Sequence, residues 1–318
     1  MIENPACPIC SKTHWIELET KTFSIFDPLP SSYLQIRRQI LFEIWFPKQQ
    51  RVLLKSIVCS ICGFSCFSPR PDSADVDKKY TRLAEHQSAS QEFTLTRNSD
   101  RKRSKELYSF LKPYLGKKKH TVLDYGGGNG RLLQFLLDNG QECSIVELVD
   151  DVLPGINYVG SKISDAIAHG TFDFIVCSHV LEHLVDPLET VLDLTKALSN
   201  RGYIYIEVPN ELWRRAPPKD DPVTHINYFT PDSIRSLLER AALDVISCKY
   251  ETFTRPNGLV GLAIKAIARK PNSPVVPTIK YRGPAIALAQ VNAGKISSLM
   301  RLLRHPKLIK NIYRKPEN

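Results

Sequence analysis

Four glycines stand within five positions in the stretch Asp124-Tyr125-Gly126-Gly127-Gly128-Asn129-Gly130. The apolar pair Val122-Leu123 before it favours a strand, and the apolar residues after Arg131 follow helical spacing. In such a turn, backbone N–H groups can approach a ligand closely, because glycine has no side chain to hold the ligand away. An ordinary tight connection between a strand and a helix is the alternative. The candidate ligand-binding residues of the turn are Asp124, Gly126, Gly128 and Gly130.

Glu147 stands 23 residues after Asp124, at the end of a second predicted strand. In an open α/β sheet, ligands bind over the carboxyl ends of the strands, where an acid can accept both hydroxyls of a ribose. The turn departs from the dinucleotide fingerprint G-x-G-x-x-G, because Arg131 stands where its last glycine would be. The pattern therefore favours a nucleoside-bearing cofactor without a pyrophosphate over the cofactor of a nicotinamide dehydrogenase.

Three histidines follow predicted strands at the same edge of the sheet. His179 and His183 come after the strand over 172–178, and His225 comes after the strand over 202–208. Histidine suits a proton acceptor near neutral pH, and a positioned base accelerates a reaction by roughly 10²–10⁴. We take His225 as the first candidate base, then His183 and His179. The alternative for the latter two is a structural role, in which Glu182 and His183 only cap and brace the cofactor loop. Ser178 and His179 are also candidate cofactor contacts.

Two CxxC pairs near the N-terminus have the spacing of metal-binding knuckles. Two such turns can place four thiolates tetrahedrally around one structural zinc ion. The 48 residues between the pairs exceed the usual zinc-ribbon spacing, and helical apolar spacing over 32–46 predicts an insertion there. Unpaired core cysteines or a redox pair are the alternatives, with Cys66 and His14 as substitute ligands. The predicted zinc ligands are Cys7, Cys10, Cys59 and Cys62.

Strands and helices alternate from residue 121 onward, which predicts an α/β, Rossmann-like sheet of seven strands. The sheet is expected to be mostly parallel with an antiparallel edge pair. Its predicted strands cover 121–125, 143–148, 156–160, 172–178, 202–208, 244–253 and 259–269. The predicted parts of the chain are a zinc-ribbon-like module with a helical insertion (1–70), a helical connector (71–118), the sheet domain (119–271) and a Pro-rich linker with a basic tail (272–318). The apolar stripe of the connector is expected to pack on the sheet.

The positive charge of the chain is concentrated at its C-terminal end. Residues from Arg255 onward carry 13 of the 43 Lys and Arg residues and one of the 33 acids, so the net charge of +10 divides into +12 there and −2 elsewhere. From Lys295 the pattern predicts a basic amphipathic helix, suited either to an anionic membrane surface or to docking on the body. No signal peptide or membrane span is evident, so we expect a cytoplasmic protein, peripheral to the inner face of the membrane if the tail binds lipid.

Residues 119–270, about half of the chain, resemble the class I S-adenosylmethionine-dependent methyltransferases. Asp124 to Gly130 is similar to their motif I, and Glu147 to the ribose-binding acid of motif II. Phe172 to Leu184 and His225 to Thr230 resemble two further stretches of small-molecule methyltransferases. The two cysteine knuckles are similar to the zinc ribbon fused to sugar-modifying methyltransferases. The joint order and spacing of these motifs carry the resemblance.

The resemblance implies methyl transfer from S-adenosylmethionine to a small-molecule acceptor, such as a sugar, nucleotide sugar or surface-glycan precursor, with structural zinc. Relatives that methylate carbon have Glu-His where this chain has Thr224-His225 and carry a large C-terminal domain, so an oxygen or nitrogen acceptor is favoured. A nucleic-acid (RNA) methyltransferase is an alternative, opposed by the lack of an Asn/Asp-Pro-Pro-Tyr/Phe motif after the strand over 172–178. A cofactor-binding module without turnover is the other alternative.

Overall fold

A computed structural model of the protein describes residues 1–29, 31–87, 97–148, 150–211, 221–255 and 257–272, together with positions 283, 285, 287–289 and 291–292. None of the helices found in these parts of the chain has the length and apolar character that crossing a bilayer requires. The predicted Pro-rich linker over 273–282 and the predicted basic tail beyond 292 lie outside the described residues.

Eleven strands and seven α-helices have defined bounds in the described ranges. The strands are β1 (Trp15–Ser24), β2 (Arg51–Cys59), β3 (Ser65–Ser68), β4 (Thr121–Tyr125), β5 (Glu142–Val146), β6 (Ile156–Gly160), β7 (Phe172–Ser178), β8 (Leu198–Pro209), β9 (Asn227–Tyr228), β10 (Asp244–Thr254) and β11 (Val260–Arg269). The helices are α1 (Ser32–Gln39), α2 (Ser73–Gln87), α3 (Arg97–Leu115), α4 (Gln134–Asp138), α5 (Ile163–His169), α6 (Pro187–Ala197) and α7 (Pro231–Arg240). A π-helical segment, Ile40–Trp45, continues α1, and 3₁₀ turns cover Arg131–Leu133 and Leu181–His183.

The central sheet has seven strands in the order β10-β11-β8-β7-β4-β5-β6. The pairs from β8 to β6 are parallel, whereas β11 is antiparallel to both β8 and β10. The predicted fold class, a mostly parallel α/β sheet with an antiparallel edge pair, is confirmed. Because β4, β7 and β8 run in the same direction, the turns that follow them meet at one edge of the sheet.

Helices cover both faces of this sheet. On one face, Leu107, Leu111 and Leu115 of α3 pack against a cluster that includes Val122 and Phe174, as the apolar stripe of the connector predicted. On the other face, α6 and α7 bury their apolar sides against the sheet. Packing therefore crosses residue 118, and the predicted division of the chain at that residue stays a prediction.

A second sheet, in the order β1-β2-β3-β9, is antiparallel throughout. Three of its strands come from the N-terminal module, and the predicted helical insertion lies between the first two as α1 and the π-helical segment. The fourth strand, β9, lies beyond β8 in the chain. Cys66 pairs with Asn227 and Ser65 with Tyr228, so the N-terminal module and the central domain share one sheet.

Strands β5 and β8 have boundaries that differ from the predicted ones. Strand β5 ends at Val146, so Glu147 is the first residue after the strand. Strand β8 begins at Leu198 although the polar group before Gly202 is typical of a turn. Its first residue still pairs with Phe172 of β7, and the register then shifts before regular pairing resumes at Phe174. The C-terminal positions 287 and 291 also have a defined place, since Ala287 and Val291 are buried against Val58 of β2.

Candidate active site and cysteine cluster

The glycine turn follows β4, and steric reasons require glycine at three of its positions: Gly127, where a Cβ would lie 2.8 Å from Asp124 Cγ, and Gly126 and Gly130, which also have a positive φ. Gly126 has φ +70°, and a Cβ there would lie 2.7 Å from Val180 Cγ2. Gly130 has φ +87°, and a Cβ there would lie 2.9 Å from Ile156 Cγ1. Gly128 also has a positive φ, +58°, but nothing lies within 4 Å of its Cβ position. The turn therefore has an open face at Gly128, where a ligand could approach the backbone.

Glu147 lies beside this open face. Its Oε2 accepts a hydrogen bond from the backbone N–H of Gly128 at 2.9 Å, and its Oε1 accepts one from Leu148 N at 2.8 Å. Each carboxylate oxygen can accept more than one hydrogen bond, so both retain acceptor capacity. The two elements predicted to bind the cofactor, the turn and the acid, are therefore in direct contact.

Asp124 is the buried acid beneath the turn. Asp124 is 1% exposed, and its Oδ2 has no hydrogen-bond partner among the described residues. Burial raises the pKa of Asp124 to about 8, with the nearby carboxylates of Glu147 and Glu207 adding to the shift and Arg103 opposing it. A glycine cradle, a solvent-facing acid and an unpartnered buried carboxyl together fit a nucleoside cofactor that carries positive charge.

Ser178 and His179 belong to a buried charged network at the end of β7. Glu207 of β8 is its centre: Oε1 accepts hydrogen bonds from Arg103 Nη2 at 2.8 Å and from Ser178 Oγ at 3.0 Å. Tyr205 OH donates to Glu207 Oε2 at 2.8 Å. Burial opposes ionisation of Glu207, but the cations around it outweigh burial and hold its pKa well below the usual range. The network anchors helix α3 to the edge where β7 and β8 end.

His179 lies between two carboxylates in a strained backbone conformation. Its φ is +58°, which is uncommon for a residue other than glycine. Nδ1 lies 3.2 Å from Glu182 Oε1, and Nε2 lies 3.1 Å from Glu207 Oε1. Burial lowers the pKa of His179, but the two carboxylates outweigh burial and raise it to about 9. At neutral pH the ring is a cation, so it is the least suited of the three histidines to accept a proton.

His183 and His225 face each other, with their ring centroids 4.8 Å apart and edge-to-face. His183 Nδ1 donates to the carbonyl oxygen of Thr224 at 2.9 Å, and burial lowers the pKa of its ring to about 4. His225 Nδ1 donates to Glu211 Oε2 at 2.7 Å; burial lowers its pKa, but the Glu211 carboxylate outweighs burial and raises it. The fold thus brings together two of the three candidate bases, each with its Nδ1 engaged.

Cations from the N-terminal part of the chain hold the loop that carries His225. Lys79 of α2, itself 1% exposed, donates from Nζ to the carbonyl oxygens of Val223 and Thr224 at 3.1 and 3.2 Å. Arg70 donates from Nη1 to Ile226 O at 3.0 Å. The loop after β8 is therefore positioned largely by residues that precede the central domain in the chain.

The four predicted zinc ligands form one buried cluster. Cys7 Sγ lies 3.6 Å from Cys62 Sγ, and Cys10 Sγ lies 3.5 Å from Cys59 Sγ. A tetrahedral site with Zn–S bonds of about 2.3 Å would separate its sulfurs by about 3.8 Å, so the cluster fits zinc. Matching turns hold the pairs, since Ser11 N donates to Cys7 O and Gly63 N donates to Cys59 O. The substitute ligands considered from the sequence, Cys66 and His14, do not join this cluster.

Several residues of the site were missed by sequence reasoning. Arg103 lies in a helix so rich in charge that no single basic residue stands out. Glu211 lies in an irregular segment without a motif. Glu207 could have been found from the sequence, because it is an acid within the apolar run of β8 and a buried acid needs a partner.

Known proteins resemble the part of the chain that contains this site. Residues 97–248, just under half of the chain, match the family model described as a methyltransferase domain. The ubiquinone biosynthesis O-methyltransferase of Hydrogenovibrio crunogenus is 24% identical over 118 residues, which cover 33% of this chain and 49% of that protein. The enzyme of the same name from Vibrio campbellii is 31% identical over 108 residues, covering 30% of this chain and 45% of that protein. The chain thus spans about half the length of the curated relatives it matches.

Among solved structures, the 1,6-didemethyltoxoflavin-N1-methyltransferase of Burkholderia thailandensis, with its substrate and S-adenosylhomocysteine bound, superposes with a TM-score of 0.47 at 18% identity. The match covers 65% of this chain and 96% of that one. The family match includes the glycine turn, Glu147 and all three candidate histidines, whereas the cysteine cluster precedes it. Residues 97–248 are therefore the part of this chain that is similar to a methyltransferase domain.

Proposed function

We propose that the protein transfers a methyl group from S-adenosylmethionine to a small-molecule acceptor, with a sugar, nucleotide sugar or surface-glycan precursor as the substrate class. The observation that carries the proposal is the contact between Glu147 and Gly128 N, beside the unpartnered carboxyl of Asp124. When bound, the cofactor supplies a methyl group on a sulfonium, which is already activated for transfer. The chain then has to bind, align and deprotonate the acceptor, and to exclude water.

The residues proposed to hold the cofactor surround the ends of β4, β5 and β7. The backbone at Gly126, Gly128 and Gly130 takes the part of the cofactor nearest the turn, and Glu147 accepts the ribose hydroxyls. Asp124 provides an acceptor for a cationic group. Ser178 and His179 are proposed to close the site from β7, with Arg103 and Glu207 keeping them in place.

The acceptor is proposed to bind beside His183 and His225. Because Glu211 holds Nδ1 of His225, the Nε2 of that ring is left to accept the proton of a hydroxyl acceptor. His183 is oriented in the same way by Thr224 O and is the second candidate. Alignment of the reacting groups alone can contribute several kcal/mol and up to about 10 kcal/mol. The curated relatives are named as O-methyltransferases, which favours an oxygen acceptor.

The four cysteines are proposed to bind a structural zinc ion that supports the acceptor side of the site. The predicted basic tail is proposed to bring this cytoplasmic enzyme to an anionic membrane, where glycan precursors are assembled. Neither role enters the chemical step.

Calorimetry with S-adenosylhomocysteine, followed by transfer of labelled methyl groups to nucleotide sugars, lipid-linked glycans and RNA, tests the proposal. We expect cofactor binding and labelling of a sugar-containing acceptor, with His225→Ala lowering the rate on a hydroxyl acceptor at least tenfold. The matched control is His169→Ala, because His169 is an exposed histidine of α5. Absence of cofactor binding would overturn the proposal. Labelling of RNA alone would show that the acceptor is RNA and not a sugar-containing molecule. Cofactor binding without labelling of any acceptor would favour the alternative of a cofactor-binding module without turnover.

A further inference from the structure

We propose that Glu182, His183 and His225 bind a divalent transition-metal cation on the acceptor side of the site. This site is distinct from the four-cysteine cluster. Each of the three residues offers one ligand atom, and these atoms lie within 4.8 Å of one another. His183 Nε2 and Glu182 Oε1 are 3.9 Å apart. The atoms come from two loops, after β7 and after β8, which meet at the carboxyl edge of the sheet.

The hydrogen bonds of both histidines are those of metal ligands. A histidine that binds a metal through one ring nitrogen usually donates its other N–H to a carbonyl or carboxylate oxygen. His183 Nδ1 donates to Thr224 O, and His225 Nδ1 donates to Glu211 Oε2. Both rings therefore keep Nε2 unprotonated in their neutral form, and Nε2 is the atom left for a cation.

Glu182 supplies the second, independent observation. The residue is 1% exposed, and neither of its carboxylate oxygens has a hydrogen bond of acceptable geometry within the described residues. Oε1 forms an ion pair with His179, but Oε2 has no such contact. Leaving a buried carboxylate oxygen without a hydrogen bond costs free energy, and a bound cation would remove that cost.

The donor set indicates the kind of metal. Two imidazoles and one carboxylate suit Zn²⁺, Mn²⁺, Fe²⁺, Co²⁺ or Ni²⁺ better than Mg²⁺ or Ca²⁺, which prefer oxygen ligands. Bonds of about 2.0–2.2 Å need ligand atoms about 3–3.5 Å apart, so the side chains must close by about 1 Å. The side chains of His183 and His225 are 26% and 19% exposed, so neither ring is fully enclosed by its neighbours.

Three protein ligands leave coordination positions open for water or an acceptor oxygen. A bound cation would favour loss of the acceptor O–H proton to solvent, while the oxygen stays on the metal. In the metal-loaded protein His225 would then be a ligand, and the proton acceptor only when the metal is absent. This consequence rests on the proposed function, whereas cation binding itself does not.

Titration of the full chain with Mn²⁺, followed by electron paramagnetic resonance and calorimetry, tests the site. Mn²⁺ is chosen because thiolates select Zn²⁺, so the cysteine cluster should not compete for it. We expect one Mn²⁺ per chain, with binding weakened at least tenfold in Glu182→Gln and, as a more exposed second variant, in His225→Ala. His169→Ala should bind Mn²⁺ as the unmodified chain does. Circular dichroism and S-adenosylhomocysteine affinity establish that each variant is folded.

Failure of the folded chain to bind Mn²⁺, or unchanged binding in both variants, would overturn the site. The proposed function is tested separately, because cofactor binding and methyl transfer are measured with and without Mn²⁺. A chain that binds Mn²⁺ but not S-adenosylhomocysteine would retain the cation site and lose the proposed function.

Discussion

Asn227 lies opposite Cys66 in the pairing of β9 with β3, and its side-chain amide reaches into the central domain. Nδ2 donates to the carbonyl oxygens of Leu181 and Leu184 at 2.6 and 2.7 Å. These two residues flank Glu182 and His183. Asn227 therefore connects the sheet of the N-terminal module to the 3₁₀ turn Leu181–His183, which carries two of the candidate site residues.

Loss of the zinc ion that we propose for the four cysteines is expected to disturb the acceptor side more than the cofactor side. In Cys59→Ser, or after treatment with a thiol reagent, we expect release of one Zn²⁺ and at least a tenfold loss of methyl transfer. S-adenosylhomocysteine affinity should change less than threefold, because the sheet that carries the cysteines connects through Asn227 to the turn over 181–184 on the acceptor side. Hydrogen exchange should become faster over 223–230. Cys248→Ser, outside the cluster, is the control, and unchanged exchange over 223–230 would contradict the proposed coupling.

Glu147→Gln is expected to weaken S-adenosylhomocysteine binding by about tenfold or more. A hydrogen bond to a charged group is worth about 1.5–3 kcal/mol, and about 1.4 kcal/mol corresponds to a factor of ten. Calorimetry measures the change. Glu142→Gln at the other end of β5 is exposed and should leave the affinity unchanged. Equal affinities of the two variants would remove Glu147 from the cofactor site.

Gly126→Ala is expected to destabilise the chain and abolish cofactor binding. A residue with Cβ in the left-handed region costs about 1–2 kcal/mol, and here its Cβ would also lie 2.7 Å from Val180 Cγ2. Gly140→Ala is the matched control, since Gly140 has φ +81° with nothing within 4 Å of its Cβ position. Denaturant unfolding should show the backbone cost in both variants and the added cost of the contact only in Gly126→Ala.

Asp124→Asn is expected to change how stability depends on pH. The pKa of Asp124 is raised to about 8 in the folded chain, so between about pH 4 and pH 8 the unfolded chain loses this proton and the folded chain keeps it. The stability of the unmodified chain should therefore fall relative to Asp124→Asn as pH rises through that range, by a few kcal/mol in total. Urea unfolding at pH 5 and pH 8.5 measures this difference. Asp138→Asn, on an exposed part of α4, is the control variant.

Removal of residues 295–318 is expected to weaken binding to vesicles containing anionic lipid. Residues 295–318 carry seven Lys and Arg residues and one acid, a net charge of +6, and basic residues near an anionic surface contribute about 1 kcal/mol each. Vesicle sedimentation at low and physiological salt measures the effect, and S-adenosylhomocysteine affinity should be retained. Equal sedimentation of both chains would favour docking of the tail on the body.

The sequence by itself determined those features of this protein that depend on residues close together in the chain. The strand pattern predicted the seven-stranded sheet, because the spacing of apolar residues and the share of β-branched residues in a segment both reflect burial on a sheet. The glycine turn and Glu147 were found together because a ligand at the end of a strand requires particular residues at short range. The cysteine pairs were found for the same reason, since each CxxC turn is a local unit.

Only the tertiary structure decided which distant residues meet. Asn227 and Cys66 are 161 residues apart, and no local pattern predicts that a two-residue strand after β8 completes the N-terminal sheet. The pairing of His183 with His225, and of Glu207 with Arg103, likewise depends on how two loops and a helix pack at one edge of the sheet. Such contacts depend on the packing of the whole domain. From a single sequence one can infer that a buried charged residue needs a partner, but not which residue that partner is.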